Sequence, residues 1–158
     1  MNLRSAMSGD GEDILGLIDS VLREYGDRIA IDGADADLID IDSEYSAHGG
    51  DFVVLDDDGR IRGTHAVRPD QRHPGVCNFC RLYLDTNLRG GHWGADLMQW
   101  ALDWARTNGF ERVELWSDSR FVRAHSFFLR FGFRHDGRWR DIADGATPYR
   151  ERFFFMDL

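Results

Sequence analysis

The chain has no lysine, only two cysteines, and no apolar run long enough to cross a bilayer. The missing lysine excludes a P-loop, because the Gly-Lys-Ser/Thr step of that motif holds the phosphates with a lysine. Cys77 and Cys80 cannot complete a four-ligand zinc site without further ligands, and their segment resembles a strand instead of the helix start that redox dithiols use. We therefore predict two reduced thiols and no metal site.

The start of the chain lacks the basic and then apolar pattern of a signal peptide. We therefore expect a soluble, cytoplasmic protein without membrane contact. With 158 residues, of which 42% are hydrophobic and 13% aromatic, the chain can bury one sizeable core. The sequence predicts a single domain over residues 1–158, which forms a monomer or a homodimer.

Acidic residues outnumber basic ones by 28 to 19, and the formal net charge is −9. Nucleic-acid binding draws its affinity from clustered cations that release counterions, so this balance argues against a nucleic-acid partner. An acidic protein suits a cationic or amine-bearing partner better.

Hydrophobic periodicity predicts a mixed α/β (α+β) fold. The central sheet is mostly antiparallel and carries helices on both faces. Residues 32–45 are predicted as a short helix or loop that flanks a cleft. We predict strands at residues 2–6, 50–55, 61–67, 76–84, 112–117 and 150–156, and helices at residues 14–25, 92–108 and 121–131.

The strongest local signal is a glycine-rich turn between the strand at 76–84 and the helix that follows it. Free amides at a helix start, together with the positive end of the helix dipole, bind phosphate without any lysine. The spacing does not match G-x-G-x-x-G, and a purely structural turn is the alternative. The turn consists of Arg89, Gly90, Gly91, His92, Trp93, Gly94 and Ala95.

This turn resembles the pyrophosphate motif of the GNAT superfamily of N-acetyltransferases, Arg/Gln-x-x-Gly-x-Gly/Ala. His92 stands where the first motif glycine is usual, and Thr86 stands where a proline is often found. Residues 117–133 are similar to the second helix of that family, which ends in a step like Gly132-Phe133. The resemblance covers most of residues 52–133.

The resemblance implies an N-acetyltransferase that moves an acetyl group from acetyl-CoA to a primary amine of a small molecule or peptide. Two parallel strands, near 82–84 and 113–116, would splay around the acyl-pantetheine. The backbone N–H of Leu84 would polarise the thioester carbonyl, and Arg89 would reach a phosphate. The implied cofactor contacts are Leu82, Leu84, the turn residues 89–95, Phe121, Ala124 and Phe128.

Phe128 occupies the position where related enzymes often carry a tyrosine that protonates the leaving thiolate, and Phe121 replaces a common asparagine. A phenylalanine cannot donate a proton. The thiolate then leaves unassisted, another donor substitutes, or the protein is a non-catalytic acyl-CoA-binding sensor or interaction module.

Three residues are candidate proton acceptors, namely Glu114, Asp85 and His125. Each has a structural alternative: a solvated strand face for Glu114, a turn cap for Asp85 and a packed or exposed helix position for His125. Of the three, we favour Glu114 acting through a water molecule.

The acceptor side is predicted at Asp35, Asp37, Tyr149 and Glu151, because the early helical region and the last strands line it in the fold that the resemblance implies. We hypothesise that the acids of residues 32–44, including Asp40 and Asp42, attract a cationic amine. The alternative is that these acids only solubilise a surface.

Overall fold

A computed structural model describes residues 1–158 as one seven-stranded sheet with four α-helices. None of the helices is both long and apolar enough to cross a membrane. In chain order the elements are β1 Asn2–Ser5, α1 Gly11–Arg23, α2 Ile41–Glu44, β2 Asp51–Asp57, β3 Arg60–Pro69, β4 Val76–Leu84, α3 Trp93–Thr107, β5 Arg112–Asp118, α4 Val122–Phe131, β6 Trp139–Ile142 and β7 Tyr149–Asp157.

The strands lie in the order β1-β2-β3-β4-β5-β7-β6. Every neighbouring pair is antiparallel except β4 and β5, which are parallel. The predicted mixed, mostly antiparallel sheet is confirmed. The sequence analysis did not predict β6, a four-residue strand at the sheet edge whose residues are mostly exposed.

Two apolar clusters cover the two faces of the sheet. On one face, α3 and α4 pack on β3, β4, β5 and β7 through residues such as Met98, Phe128 and Phe154. On the other face, α1 packs on β2 and β3 through Ile14, Ile18 and their neighbours. The three- and four-residue spacing of the apolar residues in α1 and α3 gives each helix one buried stripe.

The parallel pair β4–β5 is joined over only three residues of each strand. Residues 76–78 of β4 pair with residues 112–114 of β5, and the ladder ends there. Beyond Asn78 the two strands separate and leave a space that we call the cleft. The splayed parallel pair that the family resemblance implied is therefore present.

A bulge in β4 lies beside the cleft. Between the pairs Ala66–Cys80 and Thr64–Tyr83, β3 contributes one residue and β4 contributes two, Arg81 and Leu82. Arg81 has a φ of 57°, in the left-handed region that non-glycine residues rarely adopt. The bulge lies past Asn78, in the part of β4 that no longer pairs with β5.

Candidate active site

The cleft opens into a cavity of about 720 Å³ that is lined by residues from both faces of the sheet. Its walls come from the loop after α1, the second half of β4, all of β5 beyond Val113, the start of α4 and the loop between β6 and β7. The cavity is lined by the predicted acceptor residues and by four predicted cofactor contacts, Leu82, Phe121, Ala124 and Phe128, whereas Leu84 and the glycine turn lie outside its walls.

The glycine turn at residues 89–95 presents a row of free backbone amides. The six consecutive N–H groups from Gly90 to Ala95 have no acceptor within the chain, and the first helical bond is that of Asp96 to His92. They lie at the start of α3, a helix of 15 residues, where the helix dipole adds positive potential. This arrangement suits a phosphate or pyrophosphate group.

Two glycines of the turn meet specific geometric demands. Gly90 has a φ of 82°, which favours glycine. Gly94 lies against α4, where a Cβ would be 3.8 Å from the Phe127 ring. The turn is thus held against the second helix that the resemblance identified.

The backbone of Leu84 points into the cleft. The N–H of Asp85 donates to the Arg62 carbonyl of β3 at 2.8 Å. Since the two sides of a strand alternate in an antiparallel ladder, Leu84, opposite Gly63, has its N–H directed away from β3. Leu82 also lines the cavity, together with Phe121, Ala124 and Phe128 of the α4 region.

The side chains of Arg89 and His92 are occupied by protein partners. The Arg89 guanidinium forms two hydrogen bonds of 2.8 Å to the Glu24 carboxylate, and its Nε donates to the Leu84 carbonyl. His92 contacts the Asp96 carboxylate through Nδ1 at 2.8 Å and is exposed. The turn therefore offers its backbone to an anion, whereas the Arg89 guanidinium fixes the turn to the end of α1.

The three candidate proton acceptors have different surroundings. Glu114 lines the cavity, and only one of its carboxylate oxygens has a partner, Nε of Arg112 at 2.8 Å. Asp85 accepts the Asn87 N–H and pairs with Arg62. Burial alone would raise the pKa of Asp85, but these two partners lower it below its usual range. The structure thus places Asp85 in the capping role.

His125 lies behind the cavity wall. Its Nε2 is 3.0 Å from the Asp118 carbonyl, and its ring contacts Phe154 edge-on. Burial lowers the pKa of His125, and the hydrogen bond to Asp118 only partly opposes that effect. His125 does not line the cavity, so its geometry matches the packed helix position that was its structural alternative.

Asp35 and Asp37 line the cavity, and both carboxylates are paired with Arg81. Arg81 donates from Nη1 to Asp35 at 2.7 Å and from Nε and Nη2 to Asp37. Tyr45 donates its hydroxyl to the same Asp37 carboxylate. Asp40 caps α2 through Ser43. The hypothesis that this acidic stretch attracts a cationic amine stays a prediction, and Asp35, Asp37 and Asp40 each already have a hydrogen-bonding partner within the protein.

Tyr149 and Glu151 line the opposite wall on β7. One oxygen of Glu151 accepts from Nε of Arg140 at 2.7 Å, and the other has no partner. Burial and then the nearby Glu151 raise the pKa of Tyr149, so its phenol is neutral near pH 7. These two residues supply the uncommitted polar groups of this wall.

Two loops meet above the cavity. The N–H of Ala34, in the loop after α1, donates to the Asp144 carbonyl of the β6–β7 loop at 2.9 Å. A Cβ at Gly33 would collide with the same carbonyl. Arg120 and Thr147 both bind Asp27 at 2.9 Å and tie the same two loops to the start of α4.

Several cavity residues were not predicted from the sequence, above all Arg81, Tyr83 and Arg120. A charged residue inside the mostly apolar strand at 76–84 was the available signal for Arg81, since strands seldom place an arginine there without a partner. Its partners Asp35 and Asp37 are 46 and 44 positions away in the sequence, which no local pattern reveals.

Residues 17–133 match the sequence model of the Acetyltransferase (GNAT) family. An uncharacterized N-acetyltransferase of Schizosaccharomyces pombe is 27% identical over 126 residues, which cover 79% of this chain and 77% of the relative.

Among solved structures, a GNAT-family acetyltransferase of Staphylococcus aureus Mu50 has a TM-score of 0.85 at 21% identity, covering 99% of this chain and 98% of its own. The Salmonella typhimurium protein yncA, a putative acetyltransferase solved with its cofactor acetyl-CoA, has a TM-score of 0.75 at 17% identity, covering 100% and 94%. The family match spans most of the chain and includes both the glycine turn and α4, so this chain belongs to the GNAT acetyltransferase family.

Proposed function

We propose that the protein transfers the acetyl group of acetyl-CoA to a primary amine. The observation that carries the proposal is the row of six unpaired amides at residues 90–95, which stands beside a strand edge without a partner. An anion site next to an open strand edge suits a ligand that combines a pyrophosphate with an extended, amide-bearing arm. The acetyl-CoA named in the yncA structure is such a ligand.

Three parts of the chain would each contact a different part of acetyl-CoA. The turn amides hold the pyrophosphate, and the free edge of β4 beyond Asn78 takes the pantetheine arm as an added strand. Bound acetyl-CoA supplies a reactive thioester. The Leu84 N–H then donates to the thioester carbonyl oxygen and stabilises the negative charge that develops on it.

The acceptor amine must lose a proton on the way to the product. Glu114 is our choice of proton acceptor, because it lines the cavity and keeps one carboxylate oxygen free. Since Glu114 lies at the last rung of the β4–β5 ladder, a water molecule must bridge it to an amine further along the cleft.

The acceptor that fits best is a small amine. The loops that carry Ala34 and Asp144 are hydrogen-bonded to each other above the cavity, and this contact favours a small acceptor over a polypeptide segment. The free oxygen of Glu151 and the two neutral tyrosines Tyr83 and Tyr149 supply polar contacts for an amine.

One observation favours the second candidate, an acyl-CoA-binding module without catalysis. Phe128 is 5% exposed and packs against Phe133 and Phe154 at ring distances of 5.9 and 5.4 Å. It offers no proton to a leaving thiolate. The two candidates predict the same binding and differ only in turnover.

Calorimetry with acetyl-CoA, followed by a thiol-release assay against a panel of small primary amines, tests the proposal. We expect binding of acetyl-CoA, no comparable binding of ATP, and amine-dependent release of CoA with one acetylated amine formed per thiol. Cys77 and Cys80 must be subtracted from the thiol signal. Binding without turnover would favour the second candidate, and failure to bind any acyl-CoA would contradict both.

A further inference from the structure

We propose that Tyr83 donates the proton that the departing CoA thiolate receives. This inference rests on the proposed acetyl transfer. In that reaction a C–N bond forms as the C–S bond breaks, the sulfur takes a proton, and the attacking nitrogen gives one up. A donor near the reacting carbonyl is therefore needed, and Phe128 cannot be that donor.

Few groups in the cavity can supply a proton. Four of its lining residues carry a hydroxyl, namely Tyr45, Tyr83, Ser117 and Tyr149. The Tyr45 hydroxyl is committed to Asp37 at 2.5 Å. An aliphatic hydroxyl such as that of Ser117 is a far weaker acid than a phenol. Tyr83 and Tyr149 remain, because neither hydroxyl is committed to a carboxylate, and the Arg81 guanidinium lies close to the hydroxyl of Tyr83.

The position of Tyr83 favours it over Tyr149. Tyr83 directly precedes Leu84 on β4, whose N–H faces the cleft, whereas Tyr149 begins β7 on the opposite wall. The Tyr83 side chain lies on the α1 face, where it packs against the cluster under α1 and contacts the Phe121 ring edge-on at 6.3 Å, and it lines the cavity. No other hydroxyl of the cavity is so close in sequence to the oxyanion donor.

Arg81 gives Tyr83 the electrostatics of a proton donor. Burial raises the pKa of Tyr83 to about 12, and the nearby Arg81 guanidinium opposes that rise. The phenol is thus protonated at neutral pH, and the phenolate formed by donation would lie beside a fixed positive charge. Asp35 and Asp37 hold Arg81 in that place.

The step balances without any further reactant. The phenol O–H bond of Tyr83 breaks as the S–H bond of free CoA forms, and the proton that Glu114 takes from the attacking nitrogen passes on through water to the phenolate, which restores both side chains. The products are CoA and the acetylated amine, and Tyr83 is restored.

The test compares Tyr83→Phe with Tyr25→Phe. The Tyr25 ring also contacts Phe121, at 4.8 Å, but Tyr25 does not line the cavity, which makes it a matched control for loss of one phenol hydroxyl. Using the amine with the highest turnover, we expect Tyr83→Phe to lower kcat by about 10²-fold, with the Kd for acetyl-CoA unchanged. Tyr25→Phe should keep kcat within about twofold.

A pH profile separates proton donation from simple positioning. Replacement of Tyr83 by a fluorinated tyrosine with a more acidic phenol should keep turnover and bring an alkaline loss of kcat into the measurable range. An unchanged kcat in Tyr83→Phe, or a larger loss in Tyr149→Phe, would overturn the assignment while the proposed function stands. Wild-type protein that binds acetyl-CoA but turns over no amine would overturn both.

Discussion

The cofactor end and the acceptor end of the proposed site are built from different parts of the chain. At the cofactor end, the groups that we propose to bind acetyl-CoA are backbone amides, those of residues 90–95 and of Leu84. At the acceptor end they are side chains, and most of the charges there are paired with each other, as Arg81 is with Asp35 and Asp37.

Because of this difference, we expect the two ends to respond differently to mutation. A backbone site needs only the right turn geometry, so it tolerates unusual side chains such as His92. A site built from paired side chains depends on every partner, because removing one leaves a buried charge uncompensated. We therefore expect mutations at the acceptor end to affect stability and those at the cofactor end to affect binding.

The largest effect should come from Arg81→Ala. The side chains of Arg81 and Asp35 are 14% and 9% exposed, and loss of the guanidinium would leave the Asp35 and Asp37 carboxylates without a counter-ion. We expect the free energy of unfolding to fall by about 3–5 kcal/mol, measured by urea denaturation.

The control for Arg81→Ala is Arg140→Ala. Arg140 also pairs with a cavity carboxylate, Glu151, but its side chain is 48% exposed. Its loss should lower stability by about 1 kcal/mol or less. Equal losses in the two variants would mean that the ion pairs of Arg81 with Asp35 and Asp37 contribute no more to stability than the exposed pair of Arg140 with Glu151.

His65 gives the cofactor end its own sensitivity to acid. This residue is 1% exposed under α3, its Nδ1 lies 3.0 Å from the Leu97 carbonyl, and burial lowers its pKa to about 4. Because the unfolded chain has a histidine pKa near 6.5, the stability that neutral His65 contributes is complete above about pH 6.5. That stability is lost as the pH falls towards 4.

Between pH 7.5 and 4.5, the wild type should lose about 2–3 kcal/mol more of its unfolding free energy than His65→Gln, measured by urea denaturation at both values. Carboxylates titrate in the same range, so only the difference between the two proteins reports on His65. Equal losses of unfolding free energy in the wild type and His65→Gln would show that folding does not lower the pKa of His65, so that it is protonated in the folded state at pH 4.5.

The smallest effect, and the most specific one, is expected at Gly90. Gly90 and Gly109 have φ values of 82° and 79°, and a Cβ at either position would meet no atom within 4 Å. Valine should therefore strain both sites equally, by about 1–2 kcal/mol. Only Gly90→Val should also weaken acetyl-CoA binding, by about tenfold in the calorimetric Kd. A similar loss of binding in Gly109→Val would place the anion site elsewhere.

The elements that form the cofactor end could be predicted from the sequence more directly than the contacts at the acceptor end. The turn at 89–95, α3 and α4 follow from local patterns, since glycine spacing and helical periodicity act over a few residues. Asp35, Asp37, Tyr149 and Glu151 do line the cavity, but no local pattern in the sequence reveals that the first two pair with Arg81. An ion pair between β4 and a loop more than forty residues earlier depends on the tertiary fold alone.

The short β6 strand shows a second reason why part of the fold could not be predicted from the sequence. It has four residues, exposed side chains and one neighbouring strand, and its register comes entirely from pairing with β7. No local signal of hydrophobic alternation is needed to form such an edge strand, so none was available to predict it.

The three-residue ladder between β4 and β5 also bears on how the protein senses its own substrate. If the pantetheine completes this part of the sheet, then free acetyl-CoA at 100 times its Kd adds about 2.7 kcal/mol to the stability of the fold. The melting temperature would then follow the supply of acetyl-CoA, and amide exchange in β5 and β7 would slow when that supply is plentiful. The lifetime of the enzyme would in this way depend on the metabolite that it consumes.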